Sequence, residues 1–275
     1  MRAIFTITIF SVACIAAGDT MFETKSLSMS LKDGNITHMR AVSSGTDYIA
    51  KGQSAPLLQV QVSGKLYSPD GMSWEETASH LTLQYGAVGV KTVLAVKVRD
   101  THIAFEAVAV EPREKVELVI WGPYPTTINR TIGELVGVVR DEVYGIGIQV
   151  LNPKTMGGYP KNSNDGMPIW HAPDPNHYKE SWLKTGAKQR FWSETAKHTD
   201  FGSILQAYCR DRSQEREIGG RFGSKRQIAP AYNDGGVVGS AIALFGCPEP
   251  EILATLESIE LVENLPHPTT ADGKW

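Results

Sequence analysis

The sequence predicts an all-β protein built as an antiparallel β-sandwich, and three observations support this prediction. From about residue 22 to residue 151, apolar and polar residues alternate with a period of two in many short stretches. Turn signals such as Asp33-Gly34 separate these stretches at short intervals. Helical periodicity is missing from this part of the chain, and closely spaced strands joined by tight turns are typical of a sandwich whose sheets have one face in the core.

The strands can be placed in order along the chain. The alternating stretches are SLSMSLK, LLQVQVSG, HLTLQYG, VLAVKVRDTHIAFEAVAV, KVELVIWG and ELVGVVRDEVYGIGIQVLN. The fourth stretch predicts two strands around Arg99-Asp100-Thr101. Further strands are expected at FGSILQAYCRDRS and at GGVVGSAIALFGC, which is apolar enough to be buried on both faces.

A helix is predicted after the last strand. PEPEILATLESIELVE begins with Pro248 and acidic residues, as the first turn of a helix commonly does. We expect the helix to bury one face, made of Ile252, Leu253, Leu256 and Ile259.

The first 18 residues have the layout of a secretory signal peptide. Arg2 precedes an apolar stretch from Ala3 to Ala17, and Ala16-Ala17-Gly18 offers a small-residue cleavage site. The alternative is a buried strand or helix. We therefore expect an exported protein that is periplasmic, extracellular or, if Cys14 is lipidated at its imperfect lipoprotein box, anchored to the cell surface. No second apolar run is long enough to span a bilayer, so no transmembrane segment is expected.

This reading divides the chain into a signal peptide at 1–18, a β-sandwich domain at 19–247, and a linker helix with a lead-in to a further domain at 248–275.

The composition and the absent motifs argue against several classes of protein. A net charge of −3 and the lack of a basic aromatic stripe argue against nucleic acid as a partner. YGIGIQV lacks the third glycine of a dinucleotide fingerprint, GGRFGSK fails the P-loop spacing, and there is no Gly-x-Ser-x-Gly elbow, so no cofactor is expected. Cys209 and Cys247 are expected to be buried thiols, with a single bridge between them left open.

Residues 152–236 differ from the strands before them, because they are rich in Pro, Gly, Asn, Asp and large aromatic side chains. Indole and phenol rings stack on the apolar faces of sugars, while imidazole and carboxylate groups bind sugar hydroxyls. This mixture predicts a carbohydrate site in a functional loop system. The candidate binding residues are Trp170, His171, His177, Tyr178, Trp182 and Trp192. The alternative is that the aromatic side chains pin a long loop onto the sandwich.

A second candidate platform lies in WGPYP, at the predicted end of a strand. Trp121 and Tyr124 are expected at a corner of the chain, either displayed to a sugar or packed as a rigid edge of the sandwich.

Metal and acid–base chemistry have weaker support in the sequence. His171, Asp174 and His177 are three residues apart, but Pro173 and Pro175 prevent the helix that would place them on one face, so no metal site is expected. The weak candidates for proton transfer at a sugar carbon are Glu194, His198 and Asp174, with loop scaffolding as the alternative.

Two long stretches resemble a known family. They are WGPYPTTI…GELVGVVRDEVYGIGIQVLNPKTMGG and ALFGCPEPEILATLESIELVENLPHPTTADGKW. Together they resemble the N-terminal region of secreted bacterial glycoside hydrolases related to α-galactosidases, over most of residues 22–275. The resemblance implies a galactose-mutarotase-like β-supersandwich followed by a short helix, a proline-containing linker and a (β/α)₈ barrel that carries the catalytic carboxylates.

The sequence contains no βα alternation, so the chain is expected to lack that barrel. Trp275 is accordingly expected to pack against it as a further domain. The predicted function is that of an accessory domain that shapes the site for a galactoside-like glycan, with the barrel as its partner, and whether the chain is itself an enzyme is left open. The alternatives are a stand-alone carbohydrate-binding module and an enzyme, similar to mutarotases or polysaccharide lyases, that acts through the sandwich itself.

Overall fold

The structure is a computed structural model that describes residues 19–134, 136–158, 169–170, 189–190, 195–218 and 227–267. Most of these residues form antiparallel β-sheets, as predicted, and a single α-helix occurs among them near the C-terminal end. Within these ranges, no helix has the length and apolarity needed to cross a bilayer. The predicted signal peptide and Trp275 lie outside the described residues.

A three-stranded sheet opens the fold. Its strands, in spatial order, are β1 (Thr20–Glu23), β2 (Leu27–Lys32) and β3 (Asn35–Ala41). The predicted turn joins β2 to β3, and Asp33 and Gly34 have φ angles of 48° and 77°, which is the left-handed pair that this tight turn requires.

A six-stranded sheet lies beside the three-stranded sheet. Backbone bridges at Asn35–Pro56 and Ile49–Thr126 connect the two sheets. Its strands are β4 (Leu58–Val62), β5 (Lys65–Tyr67), β10 (Leu118–Thr126), β14 (Met156–Gly157), β17 (Ala196–Thr199) and β18 (Gly202–Arg210). The spatial order is β14-β18-β10-β4-β5, and β17 also pairs with β18.

An eight-stranded sheet is the largest element. Its strands are β6 (Gly71–Glu75), β7 (His80–Tyr85), β8 (Val90–Val98), β9 (Ile103–Glu111), β11 (Thr131–Gly133), β12 (Val138–Arg140), β13 (Tyr144–Val150) and β21 (Ala241–Pro248). The spatial order is β11-β12-β13-β21-β9-β8-β7-β6.

Two short ladders complete the β-structure. The first pairs β15 (Ile169–Trp170) with β16 (Gln189–Arg190), and the second pairs β19 (Arg216–Ile218) with β20 (Gln227–Ala229).

One hydrophobic core joins the three larger sheets. Side chains of the three-stranded sheet (Leu27, Met29), the six-stranded sheet (Val60, Trp121) and the eight-stranded sheet (Phe105) belong to the same buried cluster. Period-two alternation therefore placed the inward residues correctly on β2 and β4, because each strand has one face in this core.

Two buried tyrosines donate hydrogen bonds to backbone carbonyls at the start of β4, and the first of these bonds crosses between the layers. The hydroxyl of Tyr85 on β7 donates a hydrogen bond to the Leu58 carbonyl at 2.8 Å, and that of Tyr124 on β10 donates to the Leu57 carbonyl at 2.7 Å.

Strand β10 corrects the prediction for WGPYP. The chain does not turn a corner there but continues through a β-bulge, in which Gly122 and Pro123 oppose the single residue Gln206 of β18. Gly122 has a φ of 92°, and a Cβ at this position would lie 2.8 Å from the Leu205 carbonyl oxygen, so only glycine fits. Because of the extra residue, Trp121 and Tyr124 both point into the core.

The helix α1 (Ile252–Val262) follows a 3₁₀ turn at Glu249–Glu251 and packs on the outer face of the eight-stranded sheet. A Cβ on Gly145 of β13 would lie 2.5 Å from Ile252 Cδ1, so this glycine makes room for the helix. The predicted helix face is correct for Ile252, Leu256 and Ile259 but wrong for Leu253, which is 81% exposed. Thr255 is buried in its place, because positions i, i+3, i+4 and i+7 from Ile252 share one face.

Cys209 and Cys247 are both buried free thiols, as predicted, with no bridge between them.

Candidate functional site: a basic cleft beside strand β18

The residues that flank the aromatic part of the chain are bonded to strand β18. β17 and β14 lie end to end along the same edge of β18, since β17 pairs with Gly202–Leu205 and β14 pairs with Ala207 and Tyr208. Gln206 lies at the break between them. Its N–H donates to the Thr195 carbonyl at 2.8 Å, and its carbonyl accepts from Gly158 N–H at 3.0 Å.

These two hydrogen bonds close the aromatic segment, residues 159–194, at its root. Gly158 precedes the segment and Thr195 follows it, so both ends of the segment meet at one residue of β18. The β-bulge in β10 lies directly opposite, and Gln206 has no Cα partner on that strand. The bulge, which explains the burial of Trp121 and Tyr124, therefore also marks the root of the aromatic segment.

A second segment, residues 213–231, is closed a short distance away. Arg212 N–H donates to the Gly235 carbonyl at 2.6 Å, and Tyr232 N–H donates to the Arg212 carbonyl at 2.9 Å. A Cβ on Gly235 would lie 2.4 Å from the Arg212 backbone, which explains why glycine occupies this close approach.

A cleft of about 390 Å³ is lined by residues of the second root and by Met156 of β14, two residues before Gly158 of the first root. We call it the basic cleft and define it by its lining residues, which are Pro153, Lys154, Met156, Cys209, Arg210, Arg212, Tyr232, Asp234 and Gly235. This volume falls within the range of about 300–1,000 Å³ that is usual for small-molecule sites. The phenol ring of Tyr232 is available at the surface, since the residue is 53% exposed.

The cationic side chains hold defined positions in the cleft. Lys154 Nζ donates to the carbonyl of Val238 at 2.7 Å and to the carbonyl of Asp234. Arg212 Nη2 lies 3.0 Å from Met156 Sδ. A lysine held by two carbonyl groups is oriented before any ligand arrives, which lowers the entropy lost on binding.

Buried hydrogen bonds connect the cleft to the core. Trp121 Nε1 donates to Ser240 Oγ at 2.8 Å, and Ser240 Oγ lies 3.0 Å from Thr155 Oγ1. Asn152 Oδ1 accepts from the N–H of Lys154 at 3.2 Å, while its amide donates to the Gly239 carbonyl at 2.6 Å. Trp121 in the core is therefore linked to Lys154 at the cleft through Ser240, Thr155 and Asn152.

Cys209 is not suited to nucleophilic chemistry. Burial raises the pKa of its thiol to about 11, although the charges of Arg212 and Lys154 oppose this rise. A thiol with so high a pKa remains protonated near neutral pH, and the thiolate is the reactive form.

Other concave regions fit a ligand less well. A cleft of about 140 Å³ beside Glu263 is lined in part by the small residues Ala95, Ala104 and Ala241. Its volume is below the usual size of a ligand site. A wider cleft of about 580 Å³ beside Leu265 has, among its described lining residues, no aromatic side chain and a single ionisable one, Glu260.

A buried histidine cluster lies under the end of α1. His102 is fully buried, its Nε2 is 3.2 Å from Glu263 Oε1, and its Nδ1 is 3.0 Å from Thr101 Oγ1. A carboxylate only accepts hydrogen bonds, so Nε2–H donates to Glu263 and Nδ1 accepts from Thr101 in the neutral ring. Arg99 Nε also reaches Glu263 Oε1, at 3.3 Å.

This histidine fastens the helix to the sheet. Burial has the largest effect on the pKa of His102 and lowers it. Glu263 raises this pKa and Arg99 lowers it, and the net shift is downward. A ring without exposed surface cannot contact a substrate, so we assign the cluster to structure.

The sequence-predicted site residues fall into three groups. Trp121 and Tyr124 are fully buried, so the expectation that they are displayed to a sugar is wrong: a ring without exposed surface cannot stack on a ligand. The backbone of Trp170 pairs with that of Gln189 in the β15–β16 ladder. His171, Asp174, His177, Tyr178, Trp182, Trp192 and Glu194 lie outside the described residues.

His198 is not brought to the basic cleft. It lies on β17 opposite Ser203, at the other end of β18 from Arg210. At about 3.3 Å per residue, the seven steps between Ser203 and Arg210 separate the two sites by roughly 20 Å. Within the described part of the chain, no group of three or more His, Cys, Asp and Glu side chains could hold a metal ion.

Sequence reasoning missed the cleft residues themselves. Lys154, Arg212 and Tyr232 come from three separate parts of the chain, and each looks like an ordinary loop residue in the sequence. One signal was present: CRDRS places one arginine at the end of a buried strand and a second two residues later, where the chain leaves the sheet.

Comparison with family models and curated proteins does not identify this site. No protein-family model matches the chain, and no curated protein matches it either.

The side chains of the basic cleft can bind a polar ligand through guanidinium and ammonium groups, and can cover one apolar face of that ligand with a phenol ring.

Proposed function

We propose that the chain is a carbohydrate-binding β-sandwich that works beside the catalytic domain of a secreted glycoside hydrolase. The observation that carries this proposal is the basic cleft, in which residues of the second root meet Met156 of β14, close to the first root. One of those roots leads into the segment that contains Trp170, Trp182 and Trp192. Aromatic rings beside fixed polar groups are the combination that sugars require, because a sugar has apolar faces and hydroxyl edges.

Under this proposal the layers form a galactose-mutarotase-like supersandwich. The packing of an eight-stranded sheet against the layer formed by the two smaller sheets supports this arrangement. The resemblance in sequence adds the downstream barrel, export through residues 1–18, and a galactoside-like glycan as ligand. The exposed side chains of Leu253 and Leu261 on α1 offer apolar surface to such a barrel.

Titration of the full chain with galactose-containing oligosaccharides tests the binding role. We expect saturable binding, weakened about tenfold by Trp170→Ala, Trp182→Ala or Trp192→Ala, since loss of a stacked ring typically costs this much in affinity. Leu253→Ala, on α1 and remote from the cleft, serves as the control. Absence of binding to any galactose-containing glycan would contradict the proposal.

Hydrolysis assays test the division of labour. We expect no release of nitrophenol from aryl galactosides by this chain alone, and turnover when a barrel is joined to it. Efficient turnover by the chain alone would replace the proposal with an enzyme that acts through the sandwich. Glu194→Gln and His198→Ala would then identify the acid–base residues.

A further inference from the structure

The cleft of about 580 Å³ beside Leu265 meets the basic cleft at Pro153. We call it the wide cleft, and its lining includes Gln149, Asn152, Pro153, Glu260 and Asn264. Pro153 lines both clefts and is exposed. Two clefts that share an exposed wall residue are neighbours on the surface, so a ligand longer than either cleft can pass from one to the other.

The wall between the two clefts is held by the side chain of Asn152. Its Oδ1 accepts hydrogen bonds from the N–H groups of Lys154 at 3.2 Å and Thr155 at 3.3 Å, and its amide donates to the Gly239 carbonyl at 2.6 Å. Thr155 Oγ1 accepts from Ala241 N–H at 3.0 Å, which ties the wall to β21. A wall fixed in this way shapes both clefts before a ligand arrives, and a pre-formed site loses less entropy on binding.

The C-terminal end of α1 forms the other side of the wide cleft. Asn264, just beyond the helix, has a φ of 54°, and Leu265 N–H donates to the Glu260 carbonyl at 2.8 Å, which closes the helix end. His267 Nδ1 lies 2.7 Å from Glu260 Oε2. Backbone and side-chain bonds therefore both fix this side of the cleft.

The described lining of the wide cleft offers hydrogen-bonding groups. Gln149 and Asn264 carry amides, which donate and accept, and the Glu260 carboxylate accepts through two oxygens. Sugar hydroxyls also donate and accept, so they match these groups. The basic cleft differs because Tyr232 supplies a ring for stacking. One cleft can therefore hold the face of a sugar, and the other can hold hydroxyl edges.

Resting on the proposed function, we infer that the glycan held in the basic cleft continues past Pro153 into the wide cleft, which binds the next sugar units through their hydroxyl groups. The ligand is therefore an oligosaccharide long enough to occupy both clefts. A disaccharide fills only the basic cleft and leaves Gln149 and Asn264 without contact to the ligand.

The length of the ligand provides the first test. The full chain is titrated by calorimetry with a disaccharide and a hexasaccharide of the same galactan. We expect the hexasaccharide to bind about tenfold or more tightly, because two further hydrogen bonds to hydroxyls supply a gain of this order. Equal affinity for the two ligands would overturn the inference and leave the carbohydrate-binding role in place. If neither ligand binds, the proposed function fails and the inference fails with it.

Variants locate the gain. Asn264→Gly removes an amide and suits the positive φ of this position, and Gln149→Leu removes an amide with little change in size. Each should reduce the advantage of the hexasaccharide several-fold and leave the affinity for the disaccharide unchanged. Gln84→Leu, at an exposed position on β7, is the matched control and should keep the full advantage. An advantage that survives both cleft variants, or an equal loss for both ligands, would overturn the inference.

Hydrogen exchange gives a measurement that needs no variant. Leu265 lines the wide cleft, and its N–H is bonded to the Glu260 carbonyl. The hexasaccharide should slow the exchange of this N–H because it crosses the cleft, whereas the disaccharide should leave the exchange unchanged. Equal exchange with the two ligands would overturn the inference.

Discussion

The contact beneath α1 and the basic cleft both hold polar side chains in defined positions and differ in the open space beside those side chains. Beneath the helix, His102 is fully buried, and its bonds to Thr101 and Glu263 use both of its ring nitrogens. In the cleft, two carbonyl groups orient Lys154 Nζ beside an open space of about 390 Å³. Buried groups that satisfy one another indicate a structural role, whereas oriented polar groups around a space indicate a binding role.

The largest effect should come from the residue that links the core to the cleft. Trp121→Ala removes a fully buried indole, and we expect a loss of about 3–5 kcal/mol in the free energy of unfolding. Urea unfolding followed by circular dichroism measures this loss.

The companion variant Trp121→Phe retains a ring but removes the donor to Ser240. Its loss should be smaller, with weakened glycan binding if the network positions the cleft. Unchanged glycan binding in Trp121→Phe would show that the hydrogen bond to Ser240 does not position the cleft.

The next largest effect on stability is expected where α1 contacts the eight-stranded sheet. Gly145→Val places a side chain where Ile252 Cδ1 lies only 2.5 Å from the position of the Cβ, so we expect a cost of about 1–3 kcal/mol. Ile252→Ala in the same chain should recover part of this cost in a double-mutant cycle. Gly71→Ala is the control, because its nearest neighbour would be at 3.5 Å and no strain is expected. Glycan binding should remain unchanged in all of these variants.

The histidine cluster predicts a pH dependence of stability. The pKa of His102 is lowered in the folded state, so the unfolded chain binds more protons once the pH falls below about 6.5. This contribution is therefore complete above that pH and is lost as the pH falls toward the lower folded-state pKa. Urea unfolding at several values between pH 7 and pH 5 should show the decline.

His102→Gln should flatten that decline, since the amide can still donate to Glu263 but does not titrate. His80→Gln, at a partly exposed position on β7, should keep the wild-type slope. The same slope in wild type and His102→Gln would assign the effect to other groups.

The smallest effect on stability should accompany the clearest effect on binding. Tyr232 is 53% exposed, so Tyr232→Ala should change the free energy of unfolding by less than about 0.5 kcal/mol. Calorimetric titration should nevertheless show weaker glycan binding, and Tyr232→Phe should retain most of it because the ring remains. Loss of stability without loss of binding would place Tyr232 with the structural residues and remove the contrast between the two regions.

Local pattern was enough to predict the strands that have one face in the core. Leu27, Met29 and Leu31 alternate with polar residues and are all buried. The prediction failed where one extra residue changed the geometry: the bulge at Gly122 and Pro123 turns a supposed corner into a continuous strand and buries both aromatic side chains. A bulge depends on its partner strand, which is 86 residues away in the case of Trp121 and Ala207 and cannot be seen in the local sequence.

The site could be predicted only in part, for a related reason. Aromatic richness marked the segment after Asn152 as functional, but the described cleft is assembled from Lys154, Arg212 and Tyr232, which meet only after β14 and β18 pair. The bond between His102 and Glu263 likewise joins residues 161 positions apart. Contacts of this range follow from strand order, which the periodicity of a single strand does not encode.

The closed root at Gln206 makes the aromatic segment an exchangeable unit. Because Gly158 and Thr195, on either side of residues 159–194, both bond to Gln206, the length and sequence between them can change while the pairing of β14, β17 and β18 stays the same. The entropic cost of closing a longer connection grows only slowly with its length, so the sandwich tolerates such changes. One scaffold of this kind can therefore acquire new ligand preferences by exchange of a single segment, both in evolution and in the laboratory.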